Sequence, residues 1–375
     1  MSKVPGRWIT YCTNIHPGES WRETFAAVQR HVPVVKAAVS PDFAFPIGLR
    51  LSRQAANEIT GAASERFGRW LQDSDCFVPT INGFPYGAFH GERIKERVYL
   101  PDWRSPDRAA YTIVLANLLA QWLPRGMIGS ISTVPIGFKD MLDERDFPLV
   151  KRQLVAVLTH LEQIRQRAAR EIVLSLEPEP GCLLETTEQV CRFFAALELP
   201  AELGDLIGVC FDCCHQAVEF EEPADSLKRL AEAGIRIAKV QVASALRLFS
   251  PNLPLLGRFN EPRYLHQVVV RRRDGSLHRY NDVPQALAEH EMADDDEWRC
   301  HFHLPIFVSG AHGYGTTRFF LESIVPRLPG DVLLEIETYT WEVLPSELRC
   351  ETMGASIIRE IRWLQERFIA THGRT

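Results

Sequence analysis

Acids stand where buried strands give out. Ile172 to Glu179 (IVLSLEPE), Ile207 to Asp212 (IGVCFD, running on to His215) and Val332 to Glu337 (VLLEIE) each read as an apolar strand whose last residue or two are carboxylates. A strand buried on both faces has no reason to end in acid unless the ends converge on positive charge, because an unpaired buried carboxylate is costly. Side chains two apart share a strand face, so Glu177 goes with Glu179 and Glu335 with Glu337. Taken singly, Glu179 or Asp212 could cap the loop it precedes. The joint pattern at three strand ends points to a divalent cation, which takes oxygen ligands and tolerates one or two imidazoles.

Other polar residues lie at similar positions. Gln241 stands near the end of the run Ile237 to Val242, and Arg247 follows six positions later. His301 and His303 form an H-x-H, which on a strand puts both imidazoles on one face, a spacing of many metal sites. His312, in the loop SGAHGYG, is a weaker candidate. Asn14 ends the first run with His16 just beyond it, and Asn82 follows the third; all three are expected at the end that would meet a hydroxylated substrate. Their alternative reading is turn chemistry. Cys210 and Cys213 make a C-x-x-C, but residues three apart on a strand face opposite ways, so packing cysteines are expected there rather than a thiol site.

The elements that must position these groups alternate. Short β-rich runs occur at Trp8 to Asn14, Ile47 to Leu51, Cys76 to Ile81, Gly129 to Val134, Ile172 to Glu177, Ile207 to Asp212, Ile237 to Val242 and Val332 to Glu337. Helical stretches separate them, such as Phe147 to Arg167, where Val150, Leu154, Val157, Leu158, Leu161 and Ile164 recur at helical spacing, and a last one from Ala355 to Phe368. This pattern predicts a (β/α)8 TIM barrel formed by residues 1–375 as one domain, with the site at the C-terminal ends of its strands. Two segments depart from the repeat. Asn82 to Arg108 is a Gly-, Pro- and aromatic-rich loop expected to cover the barrel mouth as a lid, with Phe84, Tyr86 and Phe89 as an apolar roof. An insertion at about 247–304, between strands seven and eight, carries a β-hairpin around Asp274-Gly275 and then an extra strand from Cys300 to Phe307.

Composition bounds the rest. The 375 residues are 46% hydrophobic and 24% charged, ample for a large core, and the formal net charge of -6 with mixed signs argues against a nucleic-acid partner. Nine scattered cysteines fit reduced thiols, Met1 to Pro5 lacks an apolar signal core, and no run is long enough for a membrane span, so a soluble cytoplasmic protein is expected. No phosphate loop, nucleophile elbow or dinucleotide fingerprint is present.

The acids and their spacing resemble the xylose-isomerase-like barrels, a superfamily of divalent-metal sugar isomerases and epimerases that also holds the endonuclease IV type phosphoesterases. In the ketose epimerase branch, metal is held by Glu, Asp, His and Glu from late strands. The resemblance implies Glu177, Asp212 and Glu337 as ligands, Glu177 and Glu337 also facing the carbon that loses its proton, and His215 and Arg247 orienting substrate oxygen. Gln241 occupies the position of the ligand His, with His303 available to substitute from the inserted strand. The segments YCTNIHPGESW, TINGFPYGAFH, YLPDWRSPDR, GSISTVP and LLEIETYTWEVLP further resemble EboE, a family of metabolite traffic proteins from bacterial ebo clusters.

These resemblances imply a divalent-metal-dependent (Mn, Co, Mg or Zn) isomerase or epimerase acting on a sugar-like or cyclitol-like small molecule, with other proteins of the ebo cluster as possible partners. Asn14, His16, Asn82, Phe84 and Glu179 are the residues expected to touch substrate. The rival readings are a metal-dependent hydrolase of the endonuclease IV type and a non-catalytic metabolite-binding protein.

Overall fold

The computed structural model describes every residue except 1, 2, 5, 6, 92, 292, 312, 350, 351 and 373–375, so His312 and Cys350 lie outside the described residues. The chain begins with β1 (Lys3–Val4), which pairs antiparallel with β2 (Arg7–Tyr11). Next come β3 (Phe45–Arg50), β4 (Cys76–Asn82), β5 (Ile128–Thr133), β6 (Glu171–Leu176), β7 (Ile207–Asp212) and β8 (Arg236–Val242). An insertion then supplies β9 (Ser244–Phe249), β10 (Val268–Arg271), β11 (Leu277–Tyr280), β12 (Glu297–Leu304), β13 (Gly310–Ala311) and β14 (Tyr314–Thr316), before β15 (Leu333–Ile336) completes the parallel set.

Strands β2 to β8 and β15 form one parallel sheet in the order β2-β15-β8-β7-β6-β5-β4-β3. The seam between β2 and β3 is closed by side chains as much as by backbone. Thr10 donates to Pro46 O at 2.7 Å and accepts from Gly48 N at 3.2 Å, Arg50 N donates to Thr13 Oγ1 at 2.9 Å, and Cys12 bridges Gly48. The eight-stranded sheet is thus nearly closed as a barrel, as the alternating pattern predicts.

Helices pack outside the strands through apolar stripes. The helix Phe147–Ala168 buries Val150, Leu154, Val157, Leu158, Leu161 and Ile164, all six residues of the predicted stripe. Trp21–Val39 starts at a capping box in which Ser20 and Glu23 satisfy each other's backbone N–H groups. The ends of the parallel strands match the sequence reading to within a residue or two, except that β2 stops at Tyr11 and the chain turns through the short 3-10 helix Thr13–Ile15; the extra strand expected from Cys300 to Phe307 runs instead from Glu297 to Leu304.

The insertion is larger than a hairpin and one extra strand. It forms a six-stranded antiparallel sheet, β11-β10-β12-β9-β14-β13, from residues 244–316, with an apolar cluster of its own around Leu246, Phe259, Trp298 and Phe302. Only Ala243 separates β8 from β9, so the chain leaves the barrel immediately after its seventh parallel strand. No helix among the described residues is long and apolar enough to cross a membrane.

Candidate metal centre

The barrel floor carries charge. Lys239 on β8 and Glu335 on β15 form an ion pair with both side chains 0% exposed. Gly48 makes room for it: a Cβ at that position would lie 1.7 Å from Glu335 Oε1. Burial alone would push the Lys239 ammonium toward neutrality, but Glu335 and the surrounding acids raise its pKa and hold it charged.

Above this pair, Glu177, Asp212 and Glu337 offer carboxylate oxygens that lie within 4.8 Å of one another, all buried. Burial first, and mutual repulsion second, push Glu177 and Glu337 well above the usual carboxylate range; burial raises Asp212 despite the opposing pull of His303. Asn14 and Asn82 both donate to Glu337 Oε1, at 2.7 and 3.0 Å, which commits that oxygen. Asp212 caps the helix Cys213–Val218, its Oδ1 accepting from Cys214 N and His215 N, while its Oδ2 is buried without a partner. Gln241, in register with Asp212 and with Glu335, has both side-chain amide atoms buried and unpartnered. Orphaned oxygens around three crowded acids are the donor set of a hard divalent ion, and the residues fit one.

Beside the acids sit three imidazoles. His215 comes from the helix after β7, and His301 and His303 come from β12 of the insertion, sharing a face as the H-x-H spacing predicts. His215 Nε2 lies 3.1 Å from His301 Nε2, which lies 3.2 Å from His303 Nε2. Burial lowers all three, His215 to about 3, His303 to about 4 and His301 well below its ordinary value.

These groups open into a cavity of about 60 Å³ lined by Asn14, Asn82, Glu177, Glu179, His215, His301 and Glu337. Glu179 accepts from Tyr99 Oη at 2.8 Å and Gln267 Nε2 at 3.2 Å, and burial raises its carboxyl to about 8 against those bonds. Phe84, Phe89, Ile94, Tyr99, Tyr264 and Tyr339 line the apolar side. The segment after β4 therefore does cover the mouth, tied to the insertion by Ile94 N and Lys95 N donating to Arg263 O and by the Lys95–Asp282 ion pair. Tyr86 does not join the roof; it packs edge-on against Tyr111 beneath the Arg108 guanidinium.

Two expected site residues lie elsewhere. His16 bonds the Tyr11 hydroxyl at 3.1 Å and stacks on His31, away from the cavity. Arg247 sits on β9, pairs with Glu297 at 2.7 Å and lies over Phe249, because the chain has already left the barrel at that point. The C-x-x-C is packing: Cys210 and Cys213 are buried, and burial pushes both thiols up. Lys239, Tyr99, Gln267, Tyr264 and Tyr339 belong to the site without having been read from the sequence. Tyr99 ends the short 3-10 helix Lys95–Tyr99 and Gln267 stands just before an inserted strand, where spacing carries no information about the partner.

The metal-free protein should carry a pH signature. A carboxyl whose folded pKa is raised, as for Glu179 at about 8, contributes stability that is complete below its unfolded value of roughly 4.3 and is lost as pH rises through the folded one. The imidazoles act oppositely, losing their contribution as pH falls from about 6.5 toward their lowered values. In chelator, the thermal midpoint should therefore be lower at about pH 9 than near pH 6.5, and a divalent ion should raise it most at the alkaline end. Equal midpoints at the two pH values would show that the acids are not buried together.

Fold and site define a (β/α)8 TIM barrel whose strand ends carry buried carboxylates. No protein-family profile matches the sequence, and no curated protein matches it. Among solved structures, the chain is similar to a xylose isomerase-like TIM barrel protein from Mycobacterium smegmatis in complex with magnesium, at TM-score 0.55 and 10% identity over 97% of both chains. It is also similar to a xylose isomerase domain protein from Planctomyces limnophilus, at TM-score 0.52 and 13% identity over 92% of this chain and 94% of that one. At such identities the likeness is one of fold.

Proposed function

We propose that the chain is a divalent-metal-dependent isomerase or epimerase acting on a small polyhydroxylated molecule, sugar-like or cyclitol-like, at the barrel mouth. The observation that carries this reading is the buried trio Glu177, Asp212 and Glu337, beside which the buried Lys239 is already paired with Glu335. Glu177, Asp212, Glu337 and Gln241 would hold the ion, which when bound polarises a neighbouring carbonyl and hydroxyl pair. A magnesium complex of the Mycobacterium smegmatis barrel supports an oxygen-preferring ion.

The chain's own residues supply the proton chemistry. Asn14 and Asn82 fix one oxygen of Glu337, leaving Oε2 uncommitted toward a ligand. Glu177 and Glu337 then serve as the pair that removes a proton from one face of a carbon and returns it to the other or to the adjacent carbon. Burial and the neighbouring acids raise both carboxyls above their ordinary range, the direction that lets a carboxylate hold a proton as well as take one. The aromatic roof excludes water and offers rings to the apolar face of a hydroxylated ring. The motif resemblance to EboE supplies a setting, the handling of a metabolite beside the other proteins of an ebo cluster.

A metal-dependent hydrolase is a second reading, favoured by the three imidazoles beside the acids. The two separate in heavy water. With Mn²⁺ and a panel of ketoses and keto-cyclitols in D2O, proton NMR should show deuterium entering the carbon next to the carbonyl, and Glu337→Gln should slow this by about 10²–10⁴-fold. Phosphoester cleavage with no carbon exchange on any panel member would replace the first reading with the second.

A further inference from the structure

We infer that the imidazoles of His215, His301 and His303 form a second divalent-ion site, one that takes a nitrogen-preferring ion such as Zn²⁺ or Co²⁺ and shares Asp212 with the acid site. This deepens the reading above and rests on it only in that Asp212 serves both sites.

The argument begins with the tautomers. His215 Nδ1 faces Pro178 O at 2.9 Å, and His303 Nδ1 faces Glu337 O; both are at 2.9 Å or less from groups that can only accept, with the latter at 2.6 Å. His301 Nδ1 lies 2.7 Å from Gln267 Oε1. That amide is oriented unambiguously, because its Nε2 faces Pro180 O at 2.8 Å as well as Tyr99 Oη and Glu179. Each Nδ1 therefore carries the hydrogen, and each neutral ring presents a lone pair at Nε2.

Those lone pairs point at one another. Separations of 3.1 and 3.2 Å between Nε2 atoms would be hydrogen bonds only if a ring were protonated, and the Tyr339 hydroxyl reaches His301 Nε2 only at 3.5 Å. Two nitrogens bound tetrahedrally to one zinc ion at about 2.0–2.1 Å stand roughly 3.3 Å apart, close to the spacing seen. The unpartnered Asp212 Oδ2 lies 4.0 Å from both His215 Nε2 and His303 Nε2, and it also belongs to the acid trio. Cys214 adds a sulfur within 4.8 Å of ligand atoms on His301 and His303. All three Nδ1–H groups are anchored to carbonyl oxygens, the arrangement that orients imidazole ligands. Imidazoles favour Zn²⁺, Co²⁺ or Fe²⁺ where the neighbouring carboxylates favour Mg²⁺ or Mn²⁺, so the two sites differ in the ions they select. His303 Nε2 stands nearer to His301 than to Asp212, which assigns it to this second site rather than to the position left by Gln241.

The test is reconstitution of the chelator-stripped full chain with Zn²⁺ and, separately, Co²⁺. Wild type should retain about two zinc ions per chain after dialysis, and with Co²⁺ it should show the visible absorption of a nitrogen-rich, low-coordinate site. His301→Gln should remove that absorption and lower zinc to about one per chain. Glu177→Gln should leave the absorption in place. Should His301→Gln fail to fold, zinc-edge X-ray absorption on wild type loaded with a single equivalent should report about three imidazole ligands. Zinc content unchanged in His301→Gln, an imidazole-free zinc spectrum, or an unchanged cobalt spectrum in His301→Gln would overturn the site. Retention of both ions without carbon exchange would instead defeat the proposed reaction and leave this site standing.

Discussion

Asp212→Asn should empty the centre of divalent metal and abolish turnover while the fold persists. Its Oδ1 caps the helix Cys213–Val218 and its Oδ2 faces the acids on one side and two imidazoles on the other. Asparagine keeps a capping acceptor, since Asn and Asp are equivalent at that position. What it loses is the charge, and its amide would bring hydrogens toward the His215 and His303 lone pairs. The loss of affinity should exceed the roughly 10–100-fold that follows removal of a residue merely supporting a ligand. Asp212→Ala should in addition lose about 1 kcal/mol of stability with the cap. Elemental analysis with thermal melts in chelator reads both effects; full occupancy in Asp212→Asn would show that the centre has been wrongly assigned.

The second large effect lies one layer down. Lys239→Met should destabilise the chain by about 3–5 kcal/mol, because it strands the fully buried Glu335 carboxylate, whose one ion-pair partner among the described residues is Lys239. Pairing the change with Glu335→Gln should recover most of the loss, since replacing both partners leaves no uncompensated charge. Urea unfolding of the single and double variants in chelator measures the coupling. A single variant as stable as wild type would show that the pair does not hold the barrel floor together.

The acids were legible because a buried strand has few reasons to end in carboxylate: Glu177, Asp212, Glu337 and the Asn82 that follows the third run converge as their positions imply. Lys239 was not, because a lysine in an apolar run reads as a snorkelling edge residue until its partner is known. Arg247 was misplaced by a spacing rule that assumes the chain stays in the barrel for six residues after Gln241, whereas it reverses into β9 after Val242. The outer sheet was underestimated for a related reason. Strands β13 and β14 are two and three residues long and rich in glycine, so they carry no alternation to detect. The H-x-H was visible as a pair, but its meeting with His215, 86 residues away from His301, depends on how the inserted sheet docks.

One bond described above bears on how the protein comes into being. Asn14 and Glu337 are 323 positions apart, and their contact completes the site. Pairing so distant in sequence must wait for the entropic cost of closing nearly the whole chain, so it belongs late on the folding route. During synthesis, the acids at the ends of β6 and β7 emerge long before the last strand that gathers them. A nascent chain therefore has no half-strength version of this centre, and metal uptake during refolding should report closure of the barrel rather than formation of its individual strands.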